Sequence, residues 1–183
     1  MTRDWVYGCL PMAALLLLLT PVVAAEGSAA RLAVWLLLPV YMLHQAEEFD
    51  DDRFRRFVNQ TILGGREGLT PLAAFTINIG LVWGGFALCL WGMGRWPWVG
   101  LIPAYVVLVN AGAHGLAALV LRRGNPGLVT ALTLFPAFGG WALWQGALGL
   151  GALGLGAHLA ALGMAVLGHA AIGATVALRL RRG

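Results

Sequence analysis

Residues 32–54 read LAVWLLLPVYMLHQAEEFDDDRF: an apolar run that closes on one histidine, two glutamates and three aspartates. At about 1.5 Å of rise per residue, a helix over 32–49 is roughly 27 Å long, close to the ~30 Å hydrocarbon core of a bilayer. The run therefore predicts a membrane-spanning helix whose last turns carry His44, Glu47 and Glu48 below the headgroups. Spacings of three and four place those side chains on one broad helical face. A carboxylate left unpaired in hydrocarbon costs several kcal/mol or takes up a proton. Two acids beside an imidazole at that depth imply a compensating cation, which is either a metal ion or an arginine.

The rest of the chain agrees with a membrane setting. Of 183 residues, 60% are hydrophobic and 11% charged, against roughly a quarter charged in soluble domains, and the mean hydropathy is +0.79. Apolar runs recur over 6–25, 32–49, 71–93, 97–121, 127–149 and 153–178. The expected fold is an all-α polytopic membrane bundle of about six transmembrane helices, forming one domain over 1–183. FDDDRFRRFVNQTILGGREGLTP, residues 49–71, is the only long polar stretch. The first run has a rival reading, because Arg3, LLLLL (15–19) and the small residues of VVAAEG (22–27) also suit a signal-like segment.

Every basic side chain is an arginine, and the arginines sit at the ends of apolar runs. Ten of the twelve (Arg3, Arg53, Arg55, Arg56, Arg66, Arg122, Arg123, Arg179, Arg181 and Arg182) fall on one predicted side, with Arg31 and Arg95 on the other. This bias predicts both termini in the cytoplasm. It also points to lipid headgroups as the basic surface's partner, and no basic stripe is left for nucleic acid. Cys9 and Cys89 lie in apolar runs without CxxC spacing and read as small buried hydrophobes.

Converting position into depth brings further polar residues to the level of His44, namely Asn78, Asn110, His114 and His169. His158 lies about 16 Å from His169 along the same helix and belongs elsewhere. The candidate metal ligands are His44, Glu47, Glu48, His114 and His169, with Glu47 or Glu48 free to act as general base. Asn78, Asn110, Arg122, Arg123 and Asn125 are candidates for orienting ligands or contacting substrate. The competing account pairs the two glutamates with Arg53, Arg55 or Arg56. Imidazoles mixed with carboxylates suit zinc, iron or manganese. Gly80 and Gly84 form a GxxxG pair, and glycines crowd residues 146–173. Both are packing signals, and such faces also permit an oligomer.

HQAEE (44–48), a later histidine at His114 and NPG (125–127) resemble the signature of the HXXEE family of small bacterial membrane proteins, over roughly residues 32–178. The resemblance implies a multi-pass protein of a bacterial inner membrane, with His44, Glu47, Glu48 and His114 as its functional positions. It implies no reaction. GxSxG, Walker and HExxH patterns are missing, and the single serine, Ser28, lies in a loop. The leading expectation is a membrane metalloenzyme that acts on a lipid-like or amphiphilic substrate from the cytoplasmic leaflet, by Lewis-acid or metal-activated water chemistry. The alternatives are a divalent-cation or proton-coupled transporter, a di-iron oxygenase, and a structural or partner-binding membrane protein.

Overall fold

The computed structural model of the chain describes residues 4–149 and 153–182; residues 1–3, among them Arg3, residues 150–152 and Gly183 lie outside them. Six long helices match the six apolar runs, and no strand occurs among the described residues. They are α1 (Trp5–Glu26), α2 (Ala29–Phe49), α4 (Pro71–Gly92) and α5 (Pro97–Leu121), α6 (Leu128–Gly149) and α7 (Leu155–Arg182). A short α3 (Arg53–Phe57) runs on into a wider turn over Val58–Ile62. Four of the helices, α1, α4, α5 and α7, are long and apolar enough to cross a membrane.

Local chemistry sets the helix ends. Ser28 caps α2 by accepting from the Arg31 amide at 3.2 Å. Thr70 does the same for α4 through the Ala73 amide, with Pro71 in the first turn, where its missing N–H is not needed. Past Phe49 the chain reverses through Asp51 and Asp52, with φ of 50° and 58°. Short polar side chains tolerate this left-handed region better than most. The sequence presents 49–71 as one polar loop. Instead, residues 53–62 are helical, because Phe54 and Phe57 share a face that packs inward, with the Phe54 ring 5.3 Å from that of Phe49.

α2 is the central helix and packs against α1, α5 and α6, while α7 packs along α5. The core is built from small and large apolar residues in alternation, among them Ala33, Leu37, Tyr41, Phe86, Ala104, Val107 and Phe135. Large apolar side chains cover the outside: Leu18, Trp91 and Leu119 are each more than three-quarters exposed, as lipid-facing residues are. α5 and α6 touch most closely at Gly139 and Gly146, where a Cβ would lie 2.8 Å from Val107 and 2.7 Å from Leu101. Gly80, Gly84 and the described glycines of α7 meet nothing nearer than 3.9 Å. Among the described residues, the packing expected of them is therefore not made.

The loops fall into two groups at opposite ends of the bundle. Arg31 lies beside Gly94, joining the α1–α2 and α4–α5 turns at one end. At the other end Arg123 bonds Thr61, Arg66 bonds the Leu180 carbonyl, Arg179 bonds Thr70, and Trp5 packs on Phe49. The first described residues thus lie at the same end as the foot of α7. The arginine asymmetry seen in the sequence becomes one arginine-rich end in three dimensions.

Candidate metal centre

The last two turns of α2 meet α5 and the start of α6 at the arginine-rich end. Here His44, Glu48 and His114 converge, and they are 0%, 4% and 6% exposed. Glu48 spans the two rings: Oε2 lies 3.5 Å from His44 Nε2, and Oε1 lies 3.3 Å from His114 Nε2. One donor atom from each of the three falls within 4.8 Å of the others. The rings stand edge to face, centroids 5.0 Å apart, and Phe135 closes on His44 at 4.5 Å.

The other ring nitrogens fix the tautomers. Asn125 donates Nδ2–H to the His114 carbonyl at 3.0 Å, which aims its Oδ1 at His114 Nδ1, 2.6 Å away. An amide oxygen only accepts, so His114 carries its proton on Nδ1. On the other side Thr130 donates its hydroxyl to Glu47 Oε2 at 2.6 Å and accepts from His44 Nδ1–H at 2.9 Å. In their neutral forms both rings therefore turn an Nε2 lone pair toward Glu48. His44 Nε2 is buried with no hydrogen-bond partner among the described residues. Orienting a metal-binding histidine through its second nitrogen is the usual role of such outer contacts.

Glu47 is not the fourth member of this group. Its carboxylate turns to the first turn of α6 and accepts from the Val129 and Thr130 amides at 3.1 and 2.8 Å. There it neutralises the positive helix end and, through Thr130, holds His44. Gly127 starts the same turn with φ +85°, and a Cβ there would stand 2.7 Å from His44 Cε1 and 3.1 Å from Glu48 Cβ and His114 Cε1. The glycine of NPG is thus the floor of the site as well as a turn former. Neither Gly127 nor Thr130 is a candidate on sequence alone. The available signal was the third residue after NPG, one turn into a helix.

The competing arginine account can be checked partner by partner. Arg53 pairs with Asp50 at 3.4 Å and donates to the Glu47 backbone carbonyl, not its carboxylate. Arg55 pairs with Asp52 and Glu67, and Arg56 with Asp51. The Arg56 guanidinium holds the Asp51 carboxyl below its ordinary range. The aspartates after Phe49 absorb these arginines, and none reaches Glu48.

The remaining candidates spread around the cluster. A cavity of about 750 Å3 extends from Glu48 and His114 between α4, α5 and α7, with Asn78, Asn110, Asn125 and His169 also in its wall. His169 does not join the donor group. Its Nδ1–H donates to Ala165 O at 2.8 Å, so its Nε2 is the free acceptor. Asn110 donates to Tyr41 Oη at 3.1 Å, and its Oδ1 is buried without a partner. Asn78 accepts from Gln45 Nε2 at 2.8 Å, while Gln45 Oε1 accepts from Trp83 Nε1 at 2.6 Å. Residues 78 and 83 reach one side chain because α4 is wound as a π-helix over Thr76–Trp83, which brings positions five apart onto one face. Gln45, the second residue of the HQAEE motif, is fully buried. Arg122 ends α5 in an exposed left-handed position, and Arg123 lies over the Phe57 ring at 5.7 Å, so neither touches the site. His158 bonds Tyr105 Oη at 2.9 Å, far from the cluster along α7.

Fold and site together define a helical protein of membrane-spanning dimensions with a buried His–Glu–His cluster at one end. The chain belongs to the family of proteins of unknown function with an HXXEE motif; the family's sequence model matches residues 35–142, a span that contains the whole cluster. No curated protein and no solved structure matches the chain.

Proposed function

We propose that the chain is a membrane-embedded metalloenzyme in which His44, Glu48 and His114 hold one divalent cation beside a chamber for an amphiphilic substrate. One observation carries this reading: two histidine Nε2 atoms and a carboxylate, all on buried residues, face one another. A single proton can bridge one of these pairs but leaves the other lone pair facing the carboxylate. A divalent ion serves all three. Two ligand atoms about 2.0–2.1 Å from a tetrahedral metal lie roughly 3.3–3.4 Å apart; here His114 Nε2 is 3.3 Å from Glu48 Oε1 and His44 Nε2 3.5 Å from Oε2, with the three donors within 4.8 Å of one another.

Two imidazoles and one carboxylate suit zinc, ferrous iron or manganese. Three protein ligands leave a position open, and a cation so held supplies Lewis-acid polarisation or an acidified water. Hydrolase-type chemistry follows most simply. Glu47 is engaged at α6, which leaves one carboxylate for the centre and favours a single ion over a di-iron pair. His169, with its free Nε2 on the α7 wall of the cavity, is then the base placed to take a substrate proton. We place the arginine-rich end, and with it both termini, in the cytoplasm of a bacterial inner membrane, with all six long helices spanning it.

Metal content of the purified full chain tests this. The reading expects near one metal per chain, lost in Glu48→Gln and His114→Ala and weakened in Glu47→Gln. Metal-free wild type, or metal retained in both ligand variants, would overturn it. Flux of the bound metal into proteoliposomes would replace the enzyme with a transporter.

A further inference from the structure

A second cleft, of about 350 Å3, opens between the first turns of α4 and the last turns of α7. Ile77, Leu81, Ala171 and Ile172 line this cleft and the 750 Å3 chamber alike, so one apolar partition belongs to both spaces. α7 is held elsewhere: along α5, and at its foot by Arg179 Nη1 donating to Thr70 Oγ1 at 2.8 Å and by Arg66 on the Leu180 carbonyl. α4 and α7 face each other across the two spaces.

The mouth of the cleft carries a definite charge. Arg179 is the one charged side chain among its lining residues, beside Thr76 and Thr175. One of its five N–H donors is used on Thr70, and among the described residues no carboxylate pairs with it. The cleft also starts at the N-terminal turn of α4, where the helix end adds positive potential. The chamber beyond is apolar apart from the few polar groups near the cluster, and its volume lies in the ~300–1000 Å3 range of pockets that enclose one ligand.

We infer that this cleft is the lateral entrance for an anionic amphiphile with a single hydrocarbon chain. The acidic headgroup docks at Arg179, and the chain passes between Ile77 and Leu81 on α4 and Ala171 and Ile172 on α7. It then enters the chamber whose wall includes Glu48 and His114. The destination rests on the metalloenzyme reading, but the entrance does not. A carboxylate and a phosphate share the required chemistry.

The test is equilibrium binding to the full chain in non-ionic detergent, with hexadecyl phosphate, hexadecanoate, hexadecanol and hexadecyltrimethylammonium as probes. Both anions should bind stoichiometrically, and the alcohol and the cation at least about tenfold more weakly, as the loss of a charge-assisted hydrogen bond requires. Preference for either anion upholds the inference and names the headgroup. Arg179→Gln should erase the discrimination. Ala171→Trp on α7 and Leu81→Trp on α4 both replace exposed residues, and each should block binding while leaving metal content unchanged. Glu48→Gln should lose metal and still bind hexadecyl phosphate, which separates failure of the entrance from failure of the metal site. Equal binding of alcohol and phosphate, or binding unmoved by both plugs, overturns the inference.

Discussion

Adding one methyl group at Gly127 should damage the site although Gly127 has no chemistry of its own. With φ at +85°, an L-residue there pays about 1–2 kcal/mol for left-handed backbone. Its Cβ would stand 2.7 Å from His44 Cε1 and 3.1 Å from both Glu48 Cβ and His114 Cε1. All three neighbours are buried, and their rings are pinned by Thr130 and Asn125. Relieving such overpacking costs about 1–3 kcal/mol. Gly127→Ala should therefore lose about 2–5 kcal/mol of stability, a large part of the ~5–15 kcal/mol typical of folded chains. Since the displaced groups are the ligands, metal affinity should fall roughly tenfold to a hundredfold. Gly124→Ala is the control: it lies in the same turn, is exposed, and its nearest neighbour is Leu128 Cδ2 at 4.0 Å. Thermal unfolding in detergent and metal titration read the two effects. A Gly127→Ala protein that matches Gly124→Ala in both would refute the contact between this turn and the cluster.

Three further outcomes follow from the hydrogen bonding. Thr130→Val keeps the shape of the side chain but removes the hydroxyl between Glu47 and His44, so metal affinity should drop about 10- to 100-fold, and the melting temperature should fall as well because His44 Nδ1–H is left buried without its acceptor. Gln45→Met leaves Trp83 Nε1 and Asn78 Oδ1 without their partner; at about 1–3 kcal/mol per orphaned group, it should lower the melting temperature clearly while one metal per chain remains. Metal binding should weaken as pH falls, because each imidazole must be neutral to bind. Once both histidines compete for protons, a pH titration of affinity should steepen toward about two decades per unit, and a pH-independent affinity would contradict the ligand set.

The helices were legible because lipid-length apolar runs leave little choice of partner for the backbone. His44, Glu48 and His114 were legible too, since depth along two helices fixes which side chains share a level. Direction around a helix was less so. Glu47 and Glu48 are adjacent, about 100° apart in azimuth, and only the docking of α6 decides that one caps a helix while the other faces the histidines. Thr130, Gly127 and Gln45 owe their roles to contacts between different helices, up to 86 residues apart in the chain, which no local pattern records. The 49–71 stretch misled by its charge: Phe54 and Phe57, at helical spacing, were the part that packs. Gly80 and Gly84 have the spacing of a packing motif but meet no close partner among the described residues.

The central claim is that two imidazoles and one carboxylate share a cation. X-ray absorption spectroscopy of the metal-loaded full chain sees this directly. The account predicts two imidazole ligands with metal–nitrogen distances of about 2.0–2.1 Å for zinc, oxygen at about 2.0–2.2 Å and no sulfur. In His114→Ala the spectrum should show one imidazole fewer, or the metal should be lost. A first shell containing sulfur, or a wild-type spectrum without imidazole scattering, would contradict it.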